Sequence, residues 1–144
     1  MNKIIMLTSL LLVSGIAGAD KFDPNYNGGL DTSIDRVLMS GLWVEDEQYG
    51  RWRVISRNLG WEHTKSYLYI QRLRTDDKEK DLIEVETLPV SEFNDTGWSH
   101  IKNIEYEKEV FIVTYVSRID INKIKKAHLT PGVPGQYEFI YEKK

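Results

Sequence analysis

Tyr49-Gly50-Arg51-Trp52-Arg53-Val54-Ile55-Ser56-Arg57 alternates one residue at a time. Trp52, Val54 and Ser56 fall on one side of an extended chain, and Arg51, Arg53 and Arg57 on the other. Successive strand side chains point to opposite faces, so the pattern reads as a strand with one face on a core and one in solvent. Asn58-Leu59-Gly60 follows as a turn, and Glu62 to Arg74 returns as the partner strand. If residues 58–61 form the loop, Arg57 faces Glu62 and Trp52 faces Tyr67, both favourable cross-strand pairs. On this reading the arginines stand on an open surface, where charge reversal at Arg53 costs within about 0.5 kcal/mol.

The same signals continue downstream. Thr75 to Lys80 is a charged hairpin tip, and Asp81 to Val90 alternates until Pro89 marks its end. Ser91 to Gly97 is a loop. Trp98 to Tyr106 and Val110 to Ser117 pair through Glu107-Lys108-Glu109, and Gln136 to Glu142 is a last strand after the Pro131–Gly135 loop. Two segments read as short helices. Thr32 to Ser40 has a capping-box pair, Thr32 and Asp35, with Ile34, Val37 and Leu38 on one helical face. Ile121 to His128 follows a capping Asp120, and Lys123, Lys125 and Lys126 complement its C-terminus. About seven short strands with one or two helices predict a single, mainly β domain over 32–144. Its form is an antiparallel sandwich or partly closed barrel, with an α+β roll as the alternative.

Upstream, Met1-Asn2-Lys3, an apolar run from Ile4 to Ile16 and the small residues Ala17-Gly18-Ala19 make the three-part pattern of a secretory signal peptide. The run is short of the roughly 20 apolar residues a membrane-spanning helix needs. Cleavage would leave Asp20 as the mature N-terminus, ahead of a polar leader over 20–31. The absence of cysteine suits a bacterial periplasm better than a disulfide-stapled secreted domain, so the expected location is periplasmic or secreted. No transmembrane span is expected in the mature chain. Without Lys3 the 19 basic residues become 18 against 22 acidic, a net charge of −4 with mixed signs. That balance gives no reason to expect nucleic acid or an anionic membrane as the partner.

Four constellations bear on chemistry. Asp23, Asn25, Asn27 and Asp31 place oxygen ligands at alternate positions around Gly28, which resembles the first nine positions of an EF-hand calcium loop. The twelfth position, where a bidentate glutamate belongs, is Ile34. An Asn/Gly linker explains the segment more simply, so calcium is the one cofactor considered and none is expected. His63, His100 and His128 have no metal-ligand spacing, and Glu62 beside His63 points to the opposite strand face. Glu84 and Glu86 share a face two residues apart, which would suit glycoside hydrolysis but more often marks a solvated face.

The aromatic content carries more weight. Tyr67 and Tyr69, and likewise Tyr137, Phe139 and Tyr141, sit at period two. Packing explains such rows, yet Tyr, Trp and Arg are also the residues enriched at binding hot spots. The expected site is therefore Arg51, Arg53, Arg72, Tyr67 and Tyr69 on a sheet face. The function expected from this is non-catalytic binding of an envelope protein or polymer. A carrier holding a small apolar ligand inside a β-barrel and a small hydrolase are the alternatives.

Overall fold

The computed structural model describes residues 33–60, 64–78 and 81–143. The segment expected to be a signal peptide, the leader with its calcium-loop pattern, Thr32, Trp61, Glu62 and His63 lie outside the described residues.

Among the described residues, eight strands form two antiparallel four-stranded sheets. The first is a meander of β1 (Ile34–Glu45), β2 (Gln48–Leu59), β3 (Lys65–Thr75) and β4 (Leu82–Pro89). The second is a meander of β5 (Ser99–Glu107), β6 (Val110–Ser117), β7 (Asp120–Pro131) and β8 (Tyr137–Tyr141). A single-turn helix, α1 (Ser91–Asn94), carries the chain from one sheet to the other. The strand order closes neither sheet into a barrel, so the fold is a β-sandwich. Among the described residues, no helix is long and apolar enough to cross a membrane.

The core lies between the sheets. Trp52, Val54, Leu68 and Ile70 meet Ile101, Phe111, Val113, Ala127 and Leu129. Phe93 on α1 is fully buried and meets the ring of Tyr115 edge-on at 5.4 Å. Asn94 fastens α1 to β3 as a strand residue would: its amide donates to the Leu68 carbonyl at 3.0 Å, and its oxygen accepts from the Leu68 N–H at 2.7 Å. The short helix is thus a plug between two layers; Asn94 satisfies an edge of β3, and Lys65, Tyr137 and Tyr141 also bond to the helix.

Both expected helices are strands. Ile34, Val37 and Leu38 have helical spacing, but burial along Ile34–Met39 alternates, and Leu38 alone of Val37, Leu38 and Met39 packs against the core. Pairing with β2 satisfies this backbone instead. In 121–128, Ile121 and Ile124 remain exposed while Ala127 and then Leu129 are buried, a period of two. Short apolar spacings are ambiguous, and the ladder offered by a neighbouring strand decides between them.

The β2–β3 register also differs from the expected one. Leu59 pairs with Lys65, Arg57 with Tyr67 and Trp52 with Arg72, so pairing ends at Leu59 and resumes at Lys65. The expected register would turn Tyr67 and Tyr69 inward. The observed one sets Val54 opposite Ile70 and Ser56 opposite Leu68, which buries Leu68 and Ile70 in the core. An odd shift exchanges the two faces of a strand, so core burial selects strongly between such registers.

Candidate functional site

The outer face of the first sheet gathers four of the five expected site residues. Arg51, Arg53, Tyr67 and Tyr69 stand on the side of β2 and β3 that carries Ile55 and Leu73. Arg72 does not join them, because its partner is Trp52 on the inward side.

Arg53 is not a free surface charge. Its Nε donates to Gln71 Oε1 at 2.6 Å, and its guanidinium lies 3.8 Å from Glu84 Oε2. Gln71 is wholly buried and spends its amide on Glu84 Oε2 and Thr87 Oγ1, both at 2.9 Å. Thr87 in turn donates its hydroxyl to Glu84. Burial pulls the Arg53 pKa down from its ordinary value, and the Glu84 carboxylate opposes that. The expectation that charge reversal at Arg53 is nearly neutral fails on this geometry. Three strands converge on one polar cluster, with buried Ile55 and Leu73 on its own face. Arg57 is likewise buried, donating from Nε to Ser33 at 2.8 Å, so Arg51 is the exposed member of the row.

The open part of this face is the margin formed by β1. Val37, Met39, Leu42 and Val44 pair respectively with Ile55, Arg53, Arg51 and Tyr49, so they follow the outer side. They are 51, 45, 72 and 77 % exposed. The period shifts by one between Ser40 and Leu42, where the chain bulges at Gly41 with φ +75°. Without that bulge Leu42 and Val44 would fall on the core side. Period-two spacing within 37–39 and 42–44 was the available sequence signal, and it was masked by the helical spacing of Ile34, Val37 and Leu38.

Arg72 builds a second, inward-facing site at the mouth of the sandwich. Its guanidinium stacks on the Trp43 ring at 4.7 Å and its Nη1 bonds Glu45 at 2.8 Å. Trp43 is oriented by its indole N–H, which donates to the Leu73 carbonyl at 3.0 Å. A cleft of about 260 Å³ opens here between Trp43, Trp52, Arg72 and the Gly132–Pro134 loop of the second sheet. Arg72 Nε, and Glu86 Oε2 on the neighbouring strand, are buried without hydrogen-bond partners among the described residues.

The carboxylate pair separates. A bulge lets Arg72 face Glu86 while the next residue, Leu73, faces Glu84. Glu84 therefore serves the outer cluster and Glu86 turns inward, so the two do not flank one bond. Tyr137, Phe139 and Tyr141 form an inward-facing row: Phe139 packs on Phe93, and Tyr141 lies 6.0 Å from Tyr115. The Tyr115 phenol is pushed up to about 12 by burial and by Tyr141 beside it. His100 sits 3.5 Å from Ser66 Oγ; burial, then Lys102, push its pKa down, with Asp35 opposing and Arg36 adding to the fall. His128 is paired with Glu142 at 3.4 Å. Among the described residues, no three His, Asp or Glu side chains gather as a metal site. Set against protein-family models, curated proteins and solved structures, the chain matches none of them.

Proposed function

We propose that this chain is an exported, non-catalytic binding protein of the periplasm or cell exterior, which engages an envelope protein through the β1 margin of its first sheet. The exposed row Val37, Met39, Leu42 and Val44 carries this reading. Scattered apolar side chains are ordinary on a protein surface, but a contiguous row rimmed by polar groups favours a partner. Tyr49 and Arg51 border the row, adding residue types that anchor interfaces. The bulges of β1 interrupt its outer edge, which disfavours addition of a partner strand and leaves side-chain contact as the mode of binding. The region between the sheets is filled by Phe93, Phe111, Leu68, Ile70 and Ile101, which supports a surface binder over a carrier.

The test is a paired measurement on Leu42→Asp/Val44→Asp. Both side chains are open to solvent, so the melting temperature should hold while a partner captured from envelope extract by the unaltered chain is lost. Equal capture by the variant and the unaltered chain would remove the β1 margin from the interface.

A further inference from the structure

The end of the β6–β7 hairpin is unlike the rest of the surface. Ser117 pairs with Asp120, leaving Arg118 and Ile119 as the two-residue turn, and β7 then runs through four exposed residues, Ile121 to Ile124. Ile119, Ile121 and Ile124 are 96, 62 and 66 % exposed. Among the described residues, nothing covers them. Arg118 to Lys126 also holds four basic residues against the single acid Asp120, a local charge of +3 in a chain whose net charge is −3. Lys125 is held in place by donating to Ser117 Oγ at 3.0 Å. Behind the tip lies an open pocket of about 480 Å³, walled by Ile124, Lys125, Lys126 and Lys143 over the Tyr115 and Tyr141 rings. Its wall also holds one acid, Glu142, whose Oε1 lies 3.4 Å from His128 Nε2.

We infer that this hairpin is a membrane-docking element, which inserts Ile119, Ile121 and Ile124 into the headgroup boundary of an anionic phospholipid bilayer while Lys123, Lys125 and Lys126 meet its phosphates. The shape favours lipid over a protein partner. Ile119 stands at the turn, and Ile121 and Ile124 follow it along β7 as exposed side chains, which can enter a deformable interface without needing a matched groove. The tip offers no aromatic anchor of the kind that dominates protein interfaces. A second copy of the chain would bring like charge against like. Apolar insertion and attraction to anionic headgroups are the two contributions that hold peripheral proteins on membranes. The pocket behind the tip gives a headgroup phosphate a basic seat. This inference uses a different surface from the β1 margin and stands independently of it.

The test is co-sedimentation of the exported chain, with its N-terminus verified by mass, on vesicles of phosphatidylcholine alone or mixed with phosphatidylglycerol. Binding to the mixed vesicles, falling as salt rises, is expected. Lys123→Gln/Lys125→Gln/Lys126→Gln should weaken it on the order of 100-fold, since each basic residue near an anionic surface contributes about 1 kcal/mol. Ile119→Ser/Ile121→Ser/Ile124→Ser should weaken it at least 10-fold at every salt concentration. Circular dichroism and melting on both variants check that these changes, including loss of the Lys125–Ser117 bond, leave the fold intact. Indifference to phosphatidylglycerol, or a triple-serine variant that binds like the unaltered chain, would overturn the inference. Retention on immobilised polyglutamate without binding to vesicles would overturn it in favour of an acidic protein.

Discussion

Replacing Arg53 by methionine tests whether the outer face of the first sheet is built around a polar cluster. The substitution keeps most of the aliphatic stem and removes the guanidinium. Gln71 then loses the donor to its Oε1 while remaining wholly buried. Flipping its amide offers no escape, because Nε2 is already committed to Glu84 and Thr87. A lost hydrogen bond from a charged donor to a buried acceptor costs about 1.5 to 3 kcal/mol, so Arg53→Met should destabilise by about 2 kcal/mol. The ion pair adds little to this. The Arg53 and Glu84 side chains are 31 and 26 % exposed and 3.8 Å apart, geometry for which a coupling below about 1 kcal/mol is usual. Arg53→Glu additionally sets a carboxylate against Glu84. Two like charges near 4 Å repel by about 4 kcal/mol at a dielectric of 20, and screening at a partly open site reduces that to about 1 to 2. The reversal should therefore cost about 3 to 4 kcal/mol in total. Urea unfolding followed by tryptophan fluorescence reads all of these, with unchanged m-values as the check on two-state behaviour. Arg51→Glu, at an exposed position in the same row, is the control and should stay within about 0.5 kcal/mol. An Arg53→Met variant as stable as the unaltered chain would refute the cluster, and equal losses for Met and Glu would refute the closeness of Glu84.

Trp52 is 6 % exposed in the core, so Trp52→Ala should destabilise by about 3 to 5 kcal/mol in the same assay. Gly50→Ala should abolish cooperative folding or come close to it, because the new Cβ would lie 1.8 Å from the Leu73 carbonyl oxygen on β3; a variant within about 0.5 kcal/mol would mean the two strands are not this close. His100 has a folded pKa below its ordinary 6.5, so the unfolded chain takes up its proton first as pH falls. Its contribution to stability is complete above pH 6.5 and is lost as pH drops below that value toward the lower folded pKa. Melting of His100→Gln should therefore be less sensitive to pH over that window, and an imidazole NMR midpoint at or above 6.5 would contradict the reasoning. Intact-mass measurement on exported protein should give an N-terminus at Asp20, and retention of Met1 would end the reading of residues 1–19 as a cleaved signal.

The amino-acid sequence alone determined the β class, most of the strand positions and the inward face of β2. A strand buried on one side writes its burial into alternation, and 49–57 is long enough for that pattern to be unambiguous. The sequence also showed that Arg51 and Arg53 share a side, since that follows from parity within one strand. Tertiary structure decided everything that depends on how one strand meets another. Val37, Leu38 and Met39 fit a helix as well as a strand until β2 supplies the ladder, and only then does Val37 turn outward. Glu84 and Glu86 are two residues apart, yet one bulge opposite Arg72 sends them to opposite faces. Arg72 was assigned to the outer face with the other arginines, but pairing with Trp52 turns it inward against Trp43 and Glu45. Alternation is a local property of the backbone, whereas register and bulges are chosen by which side chains fill the space between two sheets. That choice involves residues far apart in the chain, so no single segment records it.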